Sequence, residues 1–343
     1  MDWASRRRIA EDITEAAGLT PLVRLRRVVC GPQTVCGKLE FTNPSGSLKD
    51  RILRHIVRRA EERGELRPNM TILEASTGST GIATAMIGAA KGYPVVIVMP
   101  EGMSEERKAC MRAFGAHLVL TPGAESDVDL CLQKVEELKR REPGKYWEVG
   151  QFSNKDNVEA HYLTTGPEIW EQSEGKVDVF VTAQGSGGTV SGVGRYLKEQ
   201  NPRVKVYAVE PAECSILSGG TWGPHLIEGI GDGFIPENLE LDSIDGVVTV
   251  SSQEAIAMAR RLAQEEGILC GISSGCNVVA ANKLSRALPD STFIVTMIND
   301  TGMRYFSTPL FGREATVEVP EREHPVREQD RQQLARRRLH VVR

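Results

Sequence analysis

Asn43-Pro44-Ser45-Gly46-Ser47-Leu48-Lys49-Asp50-Arg51 is the stretch on which the reading of this chain turns. A strand-like run at 35–41 precedes it. An amphipathic segment follows, with Leu53, Ile56, Val57 and Ala60 at helical spacing. The helix is expected to begin near Leu48, which puts Lys49 in its first turn. That end of a helix carries partial positive charge, so an ammonium there is disfavoured and the amine's pKa falls. A neutral amine can attack a carbonyl and form a Schiff base. Taken alone, Lys49 would be read as a surface lysine; the rest of the chain argues otherwise.

Two further loops are suited to anions. Gly185-Ser186-Gly187-Gly188-Thr189 follows an apolar run at 177–183 and precedes a helix-like stretch at 190–197. Glycines let the backbone approach an anion, and the free amides of the helix start then point at it. The loop is not a dinucleotide fingerprint, because Val190 stands where the last glycine is needed, and no Gly-Lys-Ser/Thr supports a Walker motif. Ser76-Thr77-Gly78-Ser79-Thr80-Gly81 follows a strand at 71–75 and opens a small-residue helix running to Ala90. Hydroxyls and amides gathered at a helix start suit a carboxylate.

With these segments in view, the chain resembles the cysteine synthase/cystathionine β-synthase family of fold-type II enzymes that use pyridoxal phosphate (PLP). The resemblance begins at Ile13-Thr14-Glu15 and Thr20-Pro21-Leu22-Val23-Arg24-Leu25. It continues through 44–51, 76–81, Gln151-Phe152, 164–170 and 185–189. It ends with 229–236, Gly271-Ile272-Ser273-Ser274-Gly275 and Gly302-Met303-Arg304-Tyr305-Phe306-Ser307-Thr308. No single motif is decisive; their common order is.

The resemblance implies that Lys49 carries PLP and acts as general base. It makes Gly185, Ser186, Gly187, Gly188 and Thr189 the phosphate cup, and brings the Ser273 hydroxyl to the pyridine nitrogen. A serine there leaves that nitrogen nearly neutral, where an aspartate would keep it protonated and make the ring a strong electron sink. Ser76, Thr77, Gly78, Thr80 and Gln151 would surround the substrate carboxylate. Ser79 and Met303 depart from the pattern, standing where the family usually has asparagine and where many cysteine synthases carry glutamate. Ser79 is expected to reach the cofactor's ring hydroxyl only through water, or to make room for a larger nucleophile. Asp232 is expected to face the cleft; Asn154, His161 and His225 read as structural.

The implied reaction is β-replacement on an activated L-serine such as O-acetylserine, with sulfide giving L-cysteine. One alternative is cystathionine β-synthase, joining serine and homocysteine. Another is a PLP-holding scaffold that captures a partner's C-terminal peptide, that of serine acetyltransferase. A homodimer is also implied.

Composition sets outer limits. The 343 residues, 40% of them hydrophobic, suffice for two lobes. A net charge of -4 argues against a general nucleic-acid binder. Seven scattered cysteines without a CxxC argue against a disulfide framework and a zinc site, and favour reduced thiols in the cytoplasm. No apolar stretch approaches the roughly 20 residues that span a bilayer, and Arg6-Arg7-Arg8 lacks the apolar core of a secretory signal.

Strand-like runs at 71–75, 94–99, 116–120, 177–183, 204–209, 247–250 and 293–298 alternate with helices. Runs this apolar imply an α/β fold of two lobes, each a mostly parallel sheet covered by helices. By the resemblance, 1–44 packs with the large lobe, 45–155 is the smaller mobile lobe and 156–319 is the large PLP lobe. The cofactor lies between them. Residues 320–343 form a charged tail, read as a solvated helix or frayed end.

Overall fold

The first strand-loop-helix unit forms as expected: a strand at Thr34–Leu39 leads through a loop to a helix at Lys49–Glu62. The computed structural model describes residues 4–5, 8–123, 127–220, 222–312, 326–335 and 339–342. Arg6, Arg7, Pro320 and Arg336-Arg337-Arg338 lie outside the described residues.

Within them the strands are β1 (Leu22–Arg24), β2 (Thr34–Leu39), β3 (Thr71–Ala75), β4 (Val95–Pro100), β5 (His117–Thr121) and β6 (Tyr146–Glu148). They continue as β7 (Val179–Ala183), β8 (Lys205–Pro211), β9 (Gly246–Val250), β10 (Phe293–Ile298) and β11 (His340–Val342). Two sheets result. The smaller has the order β5-β4-β3-β6 and is parallel throughout. The larger has the order β1-β2-β10-β7-β8-β9-β11, parallel except for the β1–β2 pair. The N-terminal strands therefore complete the sheet built by the C-terminal half.

Every residue of β3 and of β7 is buried, as expected when helices cover both faces of a parallel sheet. The Lys49–Glu62 helix packs Ile52, Leu53, Ile56, Val57 and Ala60 into one core with Ile72 and Ile97 of the smaller sheet. The Ile272–Ser285 helix is buried almost all round, between β7, β10 and the helix Ser252–Glu266. A helix with apolar and small residues spread all round belongs in such a position, and its buried Asn277 and Asn282 are hydrogen-bonded there. No helix of the described residues is long and apolar enough to cross a membrane.

Two short strands escape a reading of periodicity, because three residues carry no period: β1 and β6. In the tail, Glu328–Ala335 is a mostly exposed helix, in keeping with the expected solvated helix. His340–Val342 departs from expectation: it pairs in parallel with β9 and adds an edge strand to the larger sheet.

A fully buried ion cluster fixes the start of the Lys49 helix. Arg51 donates to Glu40 on the segment after β2 and, through both terminal nitrogens at 2.6 Å, to Glu168 of the helix Gly166–Gln172. Lys38 of β2 adds a 2.6 Å bond to Glu168. Burial raises the Glu168 carboxyl, but Arg51 and Lys38 outweigh it and hold the group at about 2.

Candidate active site

Lys49 is the first residue of its helix. The loop before it is pinned to the chain just beyond β10. Leu48 N–H donates to the Asn299 carbonyl at 3.0 Å, and Thr301 N–H to the Gly46 carbonyl at 3.0 Å. Arg304 donates to the Ser45 carbonyl. Asp50 turns back to accept from Ser45 N–H at 2.6 Å, and burial pushes its carboxyl up to about 6.

Three adjoining cavities share Lys49. The first joins Lys49 to Ser273, Asn299 and Asp300. The second joins it to Ser76, Thr77, Gly78, Ser79, Thr80, Gln151 and Asp232. The third joins it to Gly185, Ser186, Gly187 and Thr189. Gly188 opens the helix Gly188–Gln200 behind that wall. Lys49, Ser273 and the candidates of the 76–81 and 185–189 loops named above therefore line one cleft, beyond the carboxyl ends of β3, β7 and β10, where ligands of parallel sheets bind.

The loop after β3 is self-supporting. Ser76 Oγ accepts from Gly78 N–H at 3.1 Å and from Gly81 N–H at 2.8 Å. Thr80 donates to Gln151 Oε1 at 2.7 Å, and Gln151 Nε2 to the Ala75 carbonyl at 3.1 Å. A Cβ at Gly78 would sit 2.5 Å from Arg107 Nε, so a side chain there would have to displace the arginine. Buried Glu74 holds the Gln151 turn by accepting from Gly150 N–H at 2.9 Å. Burial, with Glu148 nearby, pushes that carboxyl up to about 8.

The loop after β7 is braced from behind. Gly187 has φ +83°, and a Cβ on it would lie 2.8 Å from Leu239 N, so both backbone and space demand glycine. Asn157 donates to Ser186 Oγ at 2.9 Å. Thr189 meets His161 Nε2 at 3.1 Å. Burial, with the charges of Arg51 and Lys49, holds His161 well below its ordinary pKa, so it is a neutral support. His225 instead lies against the Gly231 carbonyl, Asn154 bonds within its own loop, and Met303 is exposed.

The Ser79 hydroxyl accepts from Arg304 at 2.9 Å and lies 3.4 Å from Asp300 Oδ2, which also accepts from Tyr305 at 2.8 Å. Sequence reading missed Arg304, Asp300 and Asn299. It also missed Arg107, which pairs with Glu228 and lies 4.7 Å from the Tyr305 ring centre. A buried arginine reads like a surface one in sequence, and its partners lie far along the chain.

The residues present fit PLP. A lysine amine, an amide cup at a helix start and the Ser273 hydroxyl stand on different walls of one connected cleft. They are suited respectively to an aldehyde, a phosphate and a pyridine nitrogen. Among the described residues, buried Asp300 Oδ1 has no hydrogen-bond partner at the same cavity.

Such a site on two parallel sheets defines a PLP-dependent enzyme acting on an amino acid. Residues 13–300 match the family described as pyridoxal-phosphate dependent enzyme, and the chain belongs to it. It is 46% identical to a cysteine synthase of Staphylococcus aureus over 303 residues, covering 88% of this chain and 97% of that one. It is 48% identical to cysteine synthase 3 of Caenorhabditis elegans over 310 residues, covering 90% and 91%. Among solved structures, the cysteine synthase of Entamoeba histolytica superposes with a TM-score of 0.83 at 38% identity, covering 97% of each chain.

Proposed function

We propose that the cleft performs β-replacement on O-acetyl-L-serine, with sulfide displacing acetate to give L-cysteine. The observation that supports this reading is that Lys49 lines each of three adjoining cavities, which between them carry Ser273, the 76–80 loop and the 185–189 loop. PLP supplies the electron-withdrawing ring that makes the substrate's α-proton acidic.

The chain supplies the rest. Backbone amides at 185–189 and the Ser186 and Thr189 hydroxyls hold the phosphate. Amides and hydroxyls of Ser76, Thr77, Gly78 and Thr80, with Gln151, hold the substrate carboxylate and so orient the α-hydrogen towards Lys49. The Lys49 amine takes that proton, acetate leaves the β-carbon, sulfide adds there, and Lys49 returns a proton to the α-carbon. The carboxylate binds at the start of a helix in the smaller lobe, 45–155, so binding draws that lobe over the cleft towards 156–319 and excludes water.

A homodimer, a cytoplasmic setting and docking of the serine acetyltransferase C-terminal peptide at the cleft mouth complete the proposal. Burial pushes the Cys36 thiol up to about 11 and Cys214 to about 12, which keeps both protonated and slow to oxidise.

The test is initial rates of the PLP-loaded protein with two substrate pairs. O-acetylserine with sulfide should give cysteine far faster than serine with homocysteine gives cystathionine. A preference for the second pair would overturn the reading. So would tight binding of the acetyltransferase peptide with no turnover of either pair.

A further inference from the structure

Ser273 lines the cavity with its side chain almost wholly buried. A hydroxyl has one hydrogen and two lone pairs, so its role towards a ring nitrogen depends on its other partner. That partner is Asn299, just past β10, whose Nδ2 donates to Ser273 Oγ at 3.1 Å.

Amide oxygen and nitrogen are alike in shape, so the orientation has to follow from the network. Asn277, on the same helix as Ser273, decides it. Its Oδ1 accepts from Ala183 N–H at 2.6 Å, and its Nδ2 donates to the Met297 carbonyl at 2.8 Å. Both partners are backbone groups that can play one role each, so Asn277 cannot be turned over. Its second N–H faces Asn299 Oδ1 at 3.4 Å. Turning Asn299 over would set N–H against N–H at that contact and carbonyl oxygen towards Ser273. Asn299 is held at its backbone as well: its N–H donates to Ser274 Oγ at 2.9 Å, and its carbonyl accepts from Leu48 N–H. Asn277, Asn299 and Ser273 are all buried, so water does not compete for these bonds.

The Ser273 oxygen is thus supplied with a hydrogen from Asn299. Its own hydrogen cannot go to Asn299 Nδ2, which has nothing to accept it. Among the described residues the Ser273 hydroxyl has no other hydrogen-bond partner, which leaves the cavity as the outlet for its hydrogen.

We propose that Asn299 is a positioning residue: oriented by Asn277, it keeps the Ser273 hydroxyl a hydrogen-bond donor into the cavity, and so selects the unprotonated form of the cofactor's pyridine nitrogen. The inference rests on the reading of the cleft as a PLP site with Ser273 at the ring. Ser273 alone would accept from a protonated ring as readily as donate to a neutral one. The fixed amide behind it removes that choice.

The test is the ¹⁵N signal of holoenzyme loaded with ring-¹⁵N pyridoxal phosphate, followed against pH. Asn299→Asp presents only acceptors, takes the Ser273 hydrogen and turns a lone pair towards the ring. Asn299→Ala removes the amide donor without adding charge, and serves if the aspartate variant does not fold. In wild type the signal should sit at the unprotonated position. In either variant the proton concentration needed to protonate the nitrogen should fall by at least about tenfold, one hydrogen bond's worth. A merely structural role would weaken cofactor retention and leave that midpoint in place, and such a result overturns the proposal. Ser273→Ala separates the two readings. If it moves the midpoint while both Asn299 variants do not, the Asn299 inference fails and Ser273 stays at the ring. If none of the three moves it, Ser273 is not at the ring and the site reading fails with the inference.

Discussion

Lys49→Ala is expected to abolish turnover while the protein stays folded. Lys49 lines each of the three cavities, and no step of the proposed chemistry proceeds without its amine. Loss of a nucleophile and general base together should lower kcat by at least about a thousandfold. The fold should survive because alanine is a strong helix former at a helix start. The packing of Leu48, Ile52 and Leu53 does not involve the lysine amine. Steady-state rates and the far-UV circular dichroism spectrum are the check. Turnover at the wild-type rate would remove Lys49 from the mechanism.

Arg51→Ala should have the largest effect on stability. Arg51 lies two residues beyond Lys49 and makes five bonds to Thr20, Glu40 and Glu168, all in the buried cluster. Removing it leaves two buried carboxylates facing Lys38 alone, a loss that typically costs about 3–5 kcal/mol. Denaturant unfolding should show that drop, and PLP retention should weaken because the Lys49 turn loses its anchor. The acid limb should shift too. Glu168 is held below its unfolded value of ~4.3, so its contribution is present above that pH and is lost as pH falls through about 2. Without Arg51 that loss should begin at higher pH. A change in unfolding free energy within about 1 kcal/mol would show that the cluster does not stabilise the fold.

The parts legible in sequence are those whose signal is local. The proposed phosphate cup is five consecutive residues between a strand and a helix, and the proposed carboxylate loop is six. Glycine and hydroxyl spacing there reports directly on backbone conformation and free amides. The expected strands at 71–75 and 293–298 coincide with β3 and β10, because buried parallel strands are continuous apolar runs. The missing parts are long-range. Ser79 looked like a shortened side chain leaving space, yet Arg304, 225 residues along, reaches its hydroxyl. Asn299 meets Ser273 across 26 residues and Asn277 across 22, a pairing that no local pattern encodes. Charge density suggested a solvated tail, whereas His340-Val341-Val342 completes a sheet edge whose partner strand lies nearly a hundred residues earlier.

Reductive trapping tests the central claim most directly. Borohydride treatment of the PLP-loaded protein fixes a pyridoxyl group on the lysine that holds the cofactor, and peptide mass mapping then identifies that lysine. The group is expected on the peptide that contains Lys49, and on no other. A pyridoxyl group on Lys38 or on a surface lysine, with Lys49 unmodified, would contradict it.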